Sequence, residues 1–221
     1  MSFVRQGEPN VPRETMSIAE GLPPEVEADF DRLKNAMTDL NFTPDHWSKL
    51  ERYLILLVRW SRRINLVSRH DLSSLATKHL GQALSMLPIV TSVPCERIMD
   101  LGSGSGLPAI PLKVALPAST FILVESRRKR ANFLREVVRR LALDRIEIVN
   151  DRIENCHVGE VDLVTARAVA SPPKLIDLVK KNLSPNGWVL STLAEDCADS
   201  VNVKWSSERF GMKTTLGLFR A

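Results

Sequence analysis

Ile98-Met99-Asp100-Leu101-Gly102-Ser103-Gly104-Ser105-Gly106-Leu107-Pro108 decides how the rest of the chain is read. Its apolar start reads as a short buried strand, the glycines break that strand into a turn, and Pro108 marks entry into a helix. Glycines at alternate positions permit positive φ and leave no side chains in the way, so a ligand can lie against backbone N–H groups at a helix N-terminus. The stretch predicts a cradle for a small molecule that carries an anionic group.

Spacing narrows the ligand. A dinucleotide fingerprint places glycines at positions one, three and six after the strand, and the sixth position here is Leu107. Gly102, Gly104 and Gly106, with Ser103 among them and Asp100 two residues before the first, resemble instead the motif of class I methyltransferases that bind S-adenosylmethionine. An acid at Asp100 suits such a ligand, whose methionine end carries an ammonium and whose sulfur carries a positive charge.

Downstream, strand and helix alternate. Phe121-Ile122-Leu123-Val124 is a continuous apolar run, as expected of a parallel strand covered on both faces. It ends at Glu125, about twenty residues past the glycines, where a carboxylate can accept two hydrogen bonds from a ribose diol. Ser126 is expected to cap the next helix, whose apolar face is Phe133, Leu134, Val137, Val138 and Leu141. The first turn of that helix holds Arg127, Arg128, Lys129 and Arg130. Cations there oppose the helix dipole, each at a cost on the order of 0.3–1 kcal/mol. An anionic counterpart is expected, either acids across the fold or phosphates of a partner.

Ile146-Glu147-Ile148-Val149 is a third strand, and the segment after it would face an adenine, with Ile153 supplying backbone and apolar contact and Asp151 or Glu154 a carboxylate. Val161-Asp162-Leu163-Val164-Thr165-Ala166 is a fourth strand that delivers Arg167 to its carboxyl end, where ligands of open parallel sheets gather. Arginine has no proton to give up and cannot serve as a base. It orients a cofactor carboxylate, donates to an acceptor edge of a base, or pairs with a nearby acid. Ser171 with Pro172 and Pro173 opens another helix, Pro185-Asn186-Gly187 reads as a tight turn, and 188–193 as a fifth strand. Two weaker strand-like runs follow near 201–205 and 214–219.

Upstream, the periodicity is helical from 24 to about 87. Val26, Phe30, Leu33, Met37 and Leu40 form one stripe; Trp47, Leu50, Leu54 and Leu57 form the next, after Thr43 as N-cap and Pro44 at the first helical position. A single third helix carries Leu72, Leu75, Ala76, His79, Leu80, Ala83, Leu84 and Leu87, with His79 on its apolar stripe as a buried, hydrogen-bonded side chain. Arg59, Arg62, Arg63 and Arg69 gather at the end of the second helix, either as a solvated end favoured by the dipole or as a phosphate-contacting patch.

The expected architecture is α/β, a doubly wound, mostly parallel seven-stranded sheet of Rossmann-like type with an N-terminal helical extension. Residues 1–23 read as a flexible tail without an apolar signal core, 24–93 as the helical extension and 94–221 as the cofactor-binding core. A chain of 221 residues, 44% hydrophobic, can bury one substantial core, and its net charge of +4 permits a polyanionic partner. Cys95, Cys156 and Cys197 have no paired spacing, so neither a disulfide framework nor a metal site is indicated and a reducing cytoplasm is the simplest compartment. No apolar run approaches the roughly 18 residues of a membrane span, so no membrane partner is expected. No oligomer is implied.

Across about 50–193 the chain resembles the ribosomal RNA small subunit methyltransferase G family, also called glucose-inhibited division protein B. The matching residues are Trp60, Arg63-Ile64-Asn65-Leu66, His79, the glycine stretch continued through Ile110-Pro111-Leu112, Glu125-Ser126 with Lys129-Arg130, Arg152-Ile153-Glu154 and Thr165-Ala166-Arg167-Ala168. The resemblance implies methyl transfer from S-adenosylmethionine to N7 of a guanosine in small-subunit (16S) ribosomal RNA, with ribosomal RNA or the small subunit as partner. It implies cofactor contacts at Gly102, Leu107, Ile153, Glu154 and Arg167. Candidate RNA contacts are Arg62, Arg63, Arg127, Arg128, Lys129 and Arg130.

Guanine N7 has an in-plane lone pair and no proton, so its attack on a sulfonium methyl needs no general base. Rate would come from alignment, worth up to about 7–11 kcal/mol in favourable cases, with Arg167 as a positioning group. The chain departs from the family pattern at Gln82 and Ala83, where an aspartate and a serine are usual, and at Leu193 and Ala194, where a lysine and a glycine are usual. Those departures keep two alternatives open: a methyltransferase of the same fold with another substrate, and an RNA-associated cofactor-binding protein with little transferase activity.

Overall fold

The computed structural model describes residues 21–167, 171–193, 203–209 and 212–220. Its sheet contains β1 (Arg97–Leu101), β2 (Thr120–Val124), β3 (Ile146–Val149), β4 (Val161–Ala166), β5 (Leu183–Thr192), β6 (Val203–Arg209) and β7 (Met212–Arg220). The order is β3-β2-β1-β4-β5-β7-β6. Neighbours from β3 to β5 run parallel, and β7 is antiparallel to both β5 and β6. The chain leaves β1 toward β2 and β3 on one side and then crosses from β3 to β4 on the other, so the crevice of the sheet lies outside the carboxyl ends of β1 and β4.

The helices are α1 (Pro24–Ala36), α2 (Pro44–Ser61), α3 (Gly81–Leu84), α4 (Leu87–Ser92), α5 (Ala109–Ala115), α6 (Arg128–Leu141) and α7 (Pro172–Val179). Successive strand residues point to opposite faces, and both faces are covered. Ile98, Phe121, Leu123, Leu163 and Leu190 share one apolar cluster with the N-terminal helices, α5 and α6. Met99, Ile122, Val124, Val164 and Val189 share the other with Ile153, Leu175 and Val179. The helical segment is therefore continuous with the core of the sheet. Among the described residues no helix is long and apolar enough to cross a membrane.

The α2 start forms as its sequence dictates: Thr43 Oγ1 accepts from His46 N at 3.4 Å, His46 Nδ1 accepts from Thr43 N at 3.1 Å, and Pro44 needs no partner for a missing N–H.

The expected single third helix is instead a relay of short pieces. A 3₁₀ turn at Arg69–Ser74 passes into a π-helical turn at Leu75–Leu80, then α3, then α4. Asp29 of α1, fully buried, supplies one reason. Its carboxylate accepts from Ala76 N (2.7 Å), Thr77 N (3.0 Å) and Thr77 Oγ1 (2.8 Å), taking amides that a continuous helix would direct to its own carbonyls. Pro88 supplies the other, since it has no N–H to continue α3 into α4.

Pro185-Asn186-Gly187 does not separate two elements. It lies inside β5, whose register against β4 jumps from Val161↔Leu183 to Leu163↔Trp188. Proline cannot donate to the ladder, so the extra residues bulge outward and pairing resumes at Trp188. The two weak terminal runs are the longer antiparallel pair β6 and β7. Residues 1–20, Ala168 to Ala170, Ala194 and Cys197 lie outside the described residues, and with them most of the expected tail.

Candidate functional site

The turn after β1 has the backbone that its glycines were expected to provide: φ is 69° at Gly102, 53° at Gly104 and 85° at Gly106. Its amides are less open than expected. Gly102 N and Ser103 N donate to Val124 O at 2.9 and 3.1 Å, Gly104 N to Glu125 Oε2 at 2.8 Å, and Gly106 N to Ser103 O at 2.6 Å. Ser103 Oγ donates to Asp100 O at 3.0 Å. The turn is thus held by β2 and by its own bonds, and four amides that the sequence reading offered to a ligand are spent on the protein.

Two of the glycines do different work. A β-carbon on Gly106 would meet Ile110 Cγ1 at 2.7 Å, so this residue lets the turn press against α5. On Gly104 the nearest atom would be Arg130 Nη1 at 3.6 Å, so there the positive φ rather than crowding requires glycine. Helix α5 starts at Ala109, with Pro108 as N-cap, one residue later than expected. Leu107 is buried beside it.

Asp100 sits one strand from Thr165, its register partner on β4, and accepts from Thr165 Oγ1 at 2.7 Å through Oδ1. Its other oxygen, Oδ2, is buried without a hydrogen-bond partner. Burial, opposed by the hydrogen bond from Thr165, pushes the pKa of this carboxyl up to about 6. A half-satisfied buried acid beside a glycine turn is an acceptor for a donor of positive charge.

Glu125 follows β2 directly and is buried. Oε2 accepts from Gly104 N, and Oε1 accepts from Arg127 N at 2.7 Å. That second bond corrects the capping assignment: the N-cap of α6 is Arg127, its side chain makes no cap bond, and the acid before it takes the place expected of Ser126. Ser126 is exposed, and its carbonyl accepts from Asn150 Nδ2 at 3.2 Å. Asn150 Nδ2 also donates to Glu125 O at 2.8 Å, which ties the tips of β2 and β3 together. Each Glu125 oxygen keeps a lone pair for a further donor.

After β3, Ile153 is buried in a 3₁₀ turn (Ile153–Asn155), whereas Asp151 and Glu154 are exposed. Asp151 Oδ1 is already engaged by Arg152 N at 2.7 Å and Asn155 Nδ2 at 3.1 Å, which leaves Glu154 the freer carboxylate of the two.

Arg167 lies half-buried past the end of β4. Its Nη1 donates to Gln82 Oε1 at 3.3 Å, so the residue that departs from the family pattern is its direct partner. His79 and Tyr53 complete this corner. His79 is half-buried rather than buried, and its Nε2, 3.3 Å from Asp71 Oδ2, lacks the hydrogen bond expected of it; burial, then the nearby Arg167 charge, hold its pKa below the ordinary value. Tyr53 of α2 is fully buried, and its hydroxyl donates to Ser105 O at 2.7 Å. Burial raises the phenol's pKa, so it remains a neutral donor. Leu193 does not face this corner: its side chain reaches the place where a Gly217 β-carbon would stand, 2.7 Å from Leu193 Cδ1, as part of the apolar cluster on the other face.

The basic residues divide. Arg62, Arg63, Arg127, Arg128 and Lys129 are exposed, and Arg127, Arg128 and Lys129 have no acid partner among the described residues. Glu136, the nearby acid of α6, pairs instead with Arg139 and Arg140. Arg130 is half-buried and leaves the exposed set: its Nη2 donates to Asn65 O at 3.0 Å, linking α6 to the loop after α2 beside Gly104. The Trp60 and Phe133 rings, 5.6 Å apart, hold the same two helices together, so the two clusters flank one seam.

Tyr53, Asn150 and Asp29 were not singled out from sequence, and Gln82 only as a departure from the family pattern. Two of them carried a signal. Tyr53 is the chain's single tyrosine and stands on the apolar stripe of α2, and Asp29 is an acid on the buried stripe of α1.

Residues 46–213 match the family described as rRNA small subunit methyltransferase G (GidB). Ribosomal RNA small subunit methyltransferase G of Xanthomonas campestris pv. campestris is 37% identical over 171 residues, covering 77% of this chain and 78% of that protein. The protein of the same name from Acidiphilium cryptum is 37% identical over 175 residues, covering 76% and 80%. The crystal structure of a methyltransferase from Geobacter sulfurreducens shares the fold with a TM-score of 0.54 at 13% identity, over 86% of this chain and 96% of that one. A match that runs from the first turn of α2 to the start of β7 settles the relationship: the chain belongs to the rRNA small subunit methyltransferase G family.

Proposed function

We propose that this chain transfers a methyl group from S-adenosylmethionine to N7 of a guanine in small-subunit ribosomal RNA, and does so in the cytoplasm. The observation that carries the reading is the pair of incompletely matched charges at the carboxyl ends of β1 and β4, the buried Asp100 Oδ2 and the Arg167 guanidinium. Together they suit the ammonium and carboxylate of an amino-acid moiety. Glu125 retains lone pairs for a ribose diol, and Ile153 with Glu154 offers an apolar surface and an acceptor to an adenine.

The bound cofactor supplies an electrophilic sulfonium methyl. What the protein adds is position and charge. The side chains of this corner suit a reaction without a base: His79 faces Asp71, Tyr53 donates to Ser105, and Arg167 stays protonated. Guanine N7 presents a lone pair and releases no proton on methylation, so alignment suffices. The exposed Arg62, Arg63, Arg127, Arg128 and Lys129 along the seam of α2 and α6 hold RNA phosphates near the glycine turn.

The test is a map of N7-methylguanosine in small-subunit ribosomal RNA from cells with and without this chain. One modified guanosine is expected to disappear with the chain; an unchanged map contradicts the proposal.

A further inference from the structure

A trans peptide carries its C=O and N–H on opposite edges, so a peptide plane bonded at both edges is fixed. Two planes of the glycine turn meet that condition. In Ser103–Gly104, the Ser103 carbonyl accepts from Gly106 N at 2.6 Å and the Gly104 amide donates to Glu125 Oε2 at 2.8 Å. In Ser105–Gly106, the Ser105 carbonyl accepts from the Tyr53 hydroxyl at 2.7 Å and the Gly106 amide donates to Ser103 O. The plane between them, Gly104–Ser105, differs. Neither the Gly104 carbonyl nor the Ser105 amide has a hydrogen-bond partner among the described residues, although both residues are buried.

Buried backbone groups without partners are rare in native proteins. Here they occur where Gly104 has φ of 53° and where a β-carbon would find its nearest neighbour only at 3.6 Å.

We infer that the Gly104–Ser105 peptide is the unit of the turn that hydrogen-bonds the cofactor, and that Tyr53 is its positioning residue, acting through Ser105. The inference rests on the cofactor reading above and deepens it. Glu125 fixes one flank of that peptide from β2, and Tyr53 fixes the other from α2. The acid at the tip of a strand was legible as a cofactor-site residue; the tyrosine, from the N-terminal helical segment, performs the matching task. Removing the hydroxyl leaves Ser105 O without a donor, and the Ser105–Gly106 plane then keeps a single anchor, the bond to Ser103 O. The unmatched peptide loses its fixed direction, while the exposed cations along the α2–α6 seam are untouched.

The probe is S-adenosylhomocysteine, titrated calorimetrically into wild-type protein and Tyr53→Phe at a temperature where circular dichroism shows both folded. Affinity is expected to fall about tenfold in Tyr53→Phe, with affinity for small-subunit RNA unchanged. Equal affinity in the two proteins overturns the inference while leaving the cofactor reading intact, and a wild-type chain that binds none overturns both. Amide chemical shifts in the wild-type protein give a second readout that needs no variant. Among residues 102–107, Ser105 N–H is expected to shift most on saturation with S-adenosylhomocysteine; an unmoved Ser105 beside shifted neighbours overturns the inference.

Discussion

Asp100 and Thr165 stand side by side on β1 and β4, joined by a 2.7 Å hydrogen bond that satisfies only one oxygen of the carboxylate. With its pKa raised by burial to about 6 from an ordinary 3.8, the native protein binds a proton at Asp100 more readily than the unfolded chain does. The resulting cost to stability is absent below pH 3.8, grows as pH rises, and is complete above pH 6, on the order of 3 kcal/mol. Asp100→Asn is therefore expected to raise the melting temperature at pH 8, with the advantage shrinking as pH falls toward 4. A cationic ligand group favours the ionised acid, so wild-type affinity for S-adenosylhomocysteine is expected to rise between pH 5 and 7, and Asp100→Asn to bind weakly throughout. Calorimetric titration across that range checks both.

Gly104 and Gly106 share a positive φ and separate by environment. Gly106→Ala places a β-carbon 2.7 Å from Ile110 Cγ1 and 3.1 Å from Leu134 Cδ2, which adds overpacking to left-handed strain, for a loss of about 2–5 kcal/mol in stability. Gly104→Ala carries the strain alone, about 1–2 kcal/mol, and is expected to lose cofactor affinity out of proportion to stability. Denaturant melts paired with ligand titrations distinguish the two.

Asp29 holds Ala76 N, Thr77 N and Thr77 Oγ1 from inside the core. Asp29→Ala strands two buried amides and is expected to cost about 2–4 kcal/mol. Asp29→Asn, which keeps a carbonyl acceptor, is expected to cost less. Because the π-helical turn that Asp29 fixes leads to His79 and then Gln82, the Ala variant is also expected to weaken cofactor binding. Equal stability of Asp29→Ala and wild type in urea melts would contradict this account.

Arg127, Arg128 and Lys129 oppose the dipole of α6 and are matched by no acid among the described residues. If phosphates are their counterpart, replacing all three with glutamine reduces the slope of log affinity against log salt by about 0.7–0.9 for each phosphate left without its cation. An unaltered slope in filter-binding measurements would remove them from the RNA surface. Arg130→Gln, by contrast, is expected to leave that slope unchanged, because its guanidinium is tied to Asn65 O.

The strands were legible because their apolar runs are local and continuous, and the glycine turn because residue type and spacing coincide there. The acids at Asp100 and Glu125 could be placed for the same reason: a carboxylate at a strand tip is visible in the sequence. Their partners could not. Tyr53 meets Ser105 across 52 residues, Gln82 meets Arg167 across 85, and Asp29 reshapes a helix 47 residues away. The third helix was misread as continuous because periodicity reports which face is buried and is blind to a carboxylate arriving from another element. The start of β5 was missed because Pro185 and Gly187 announce a turn whether the chain reverses there or only bulges.

Methyl transfer itself is measured with purified protein, methyl-labelled S-adenosylmethionine and small ribosomal subunits from cells lacking this chain, followed by ribonuclease fragment mapping of the RNA and mass spectrometry of the labelled fragments and their nucleosides. The account predicts label in N7-methylguanosine at a single site in the small-subunit RNA. Label confined to another nucleoside, or no label in a protein that binds the cofactor, would contradict it.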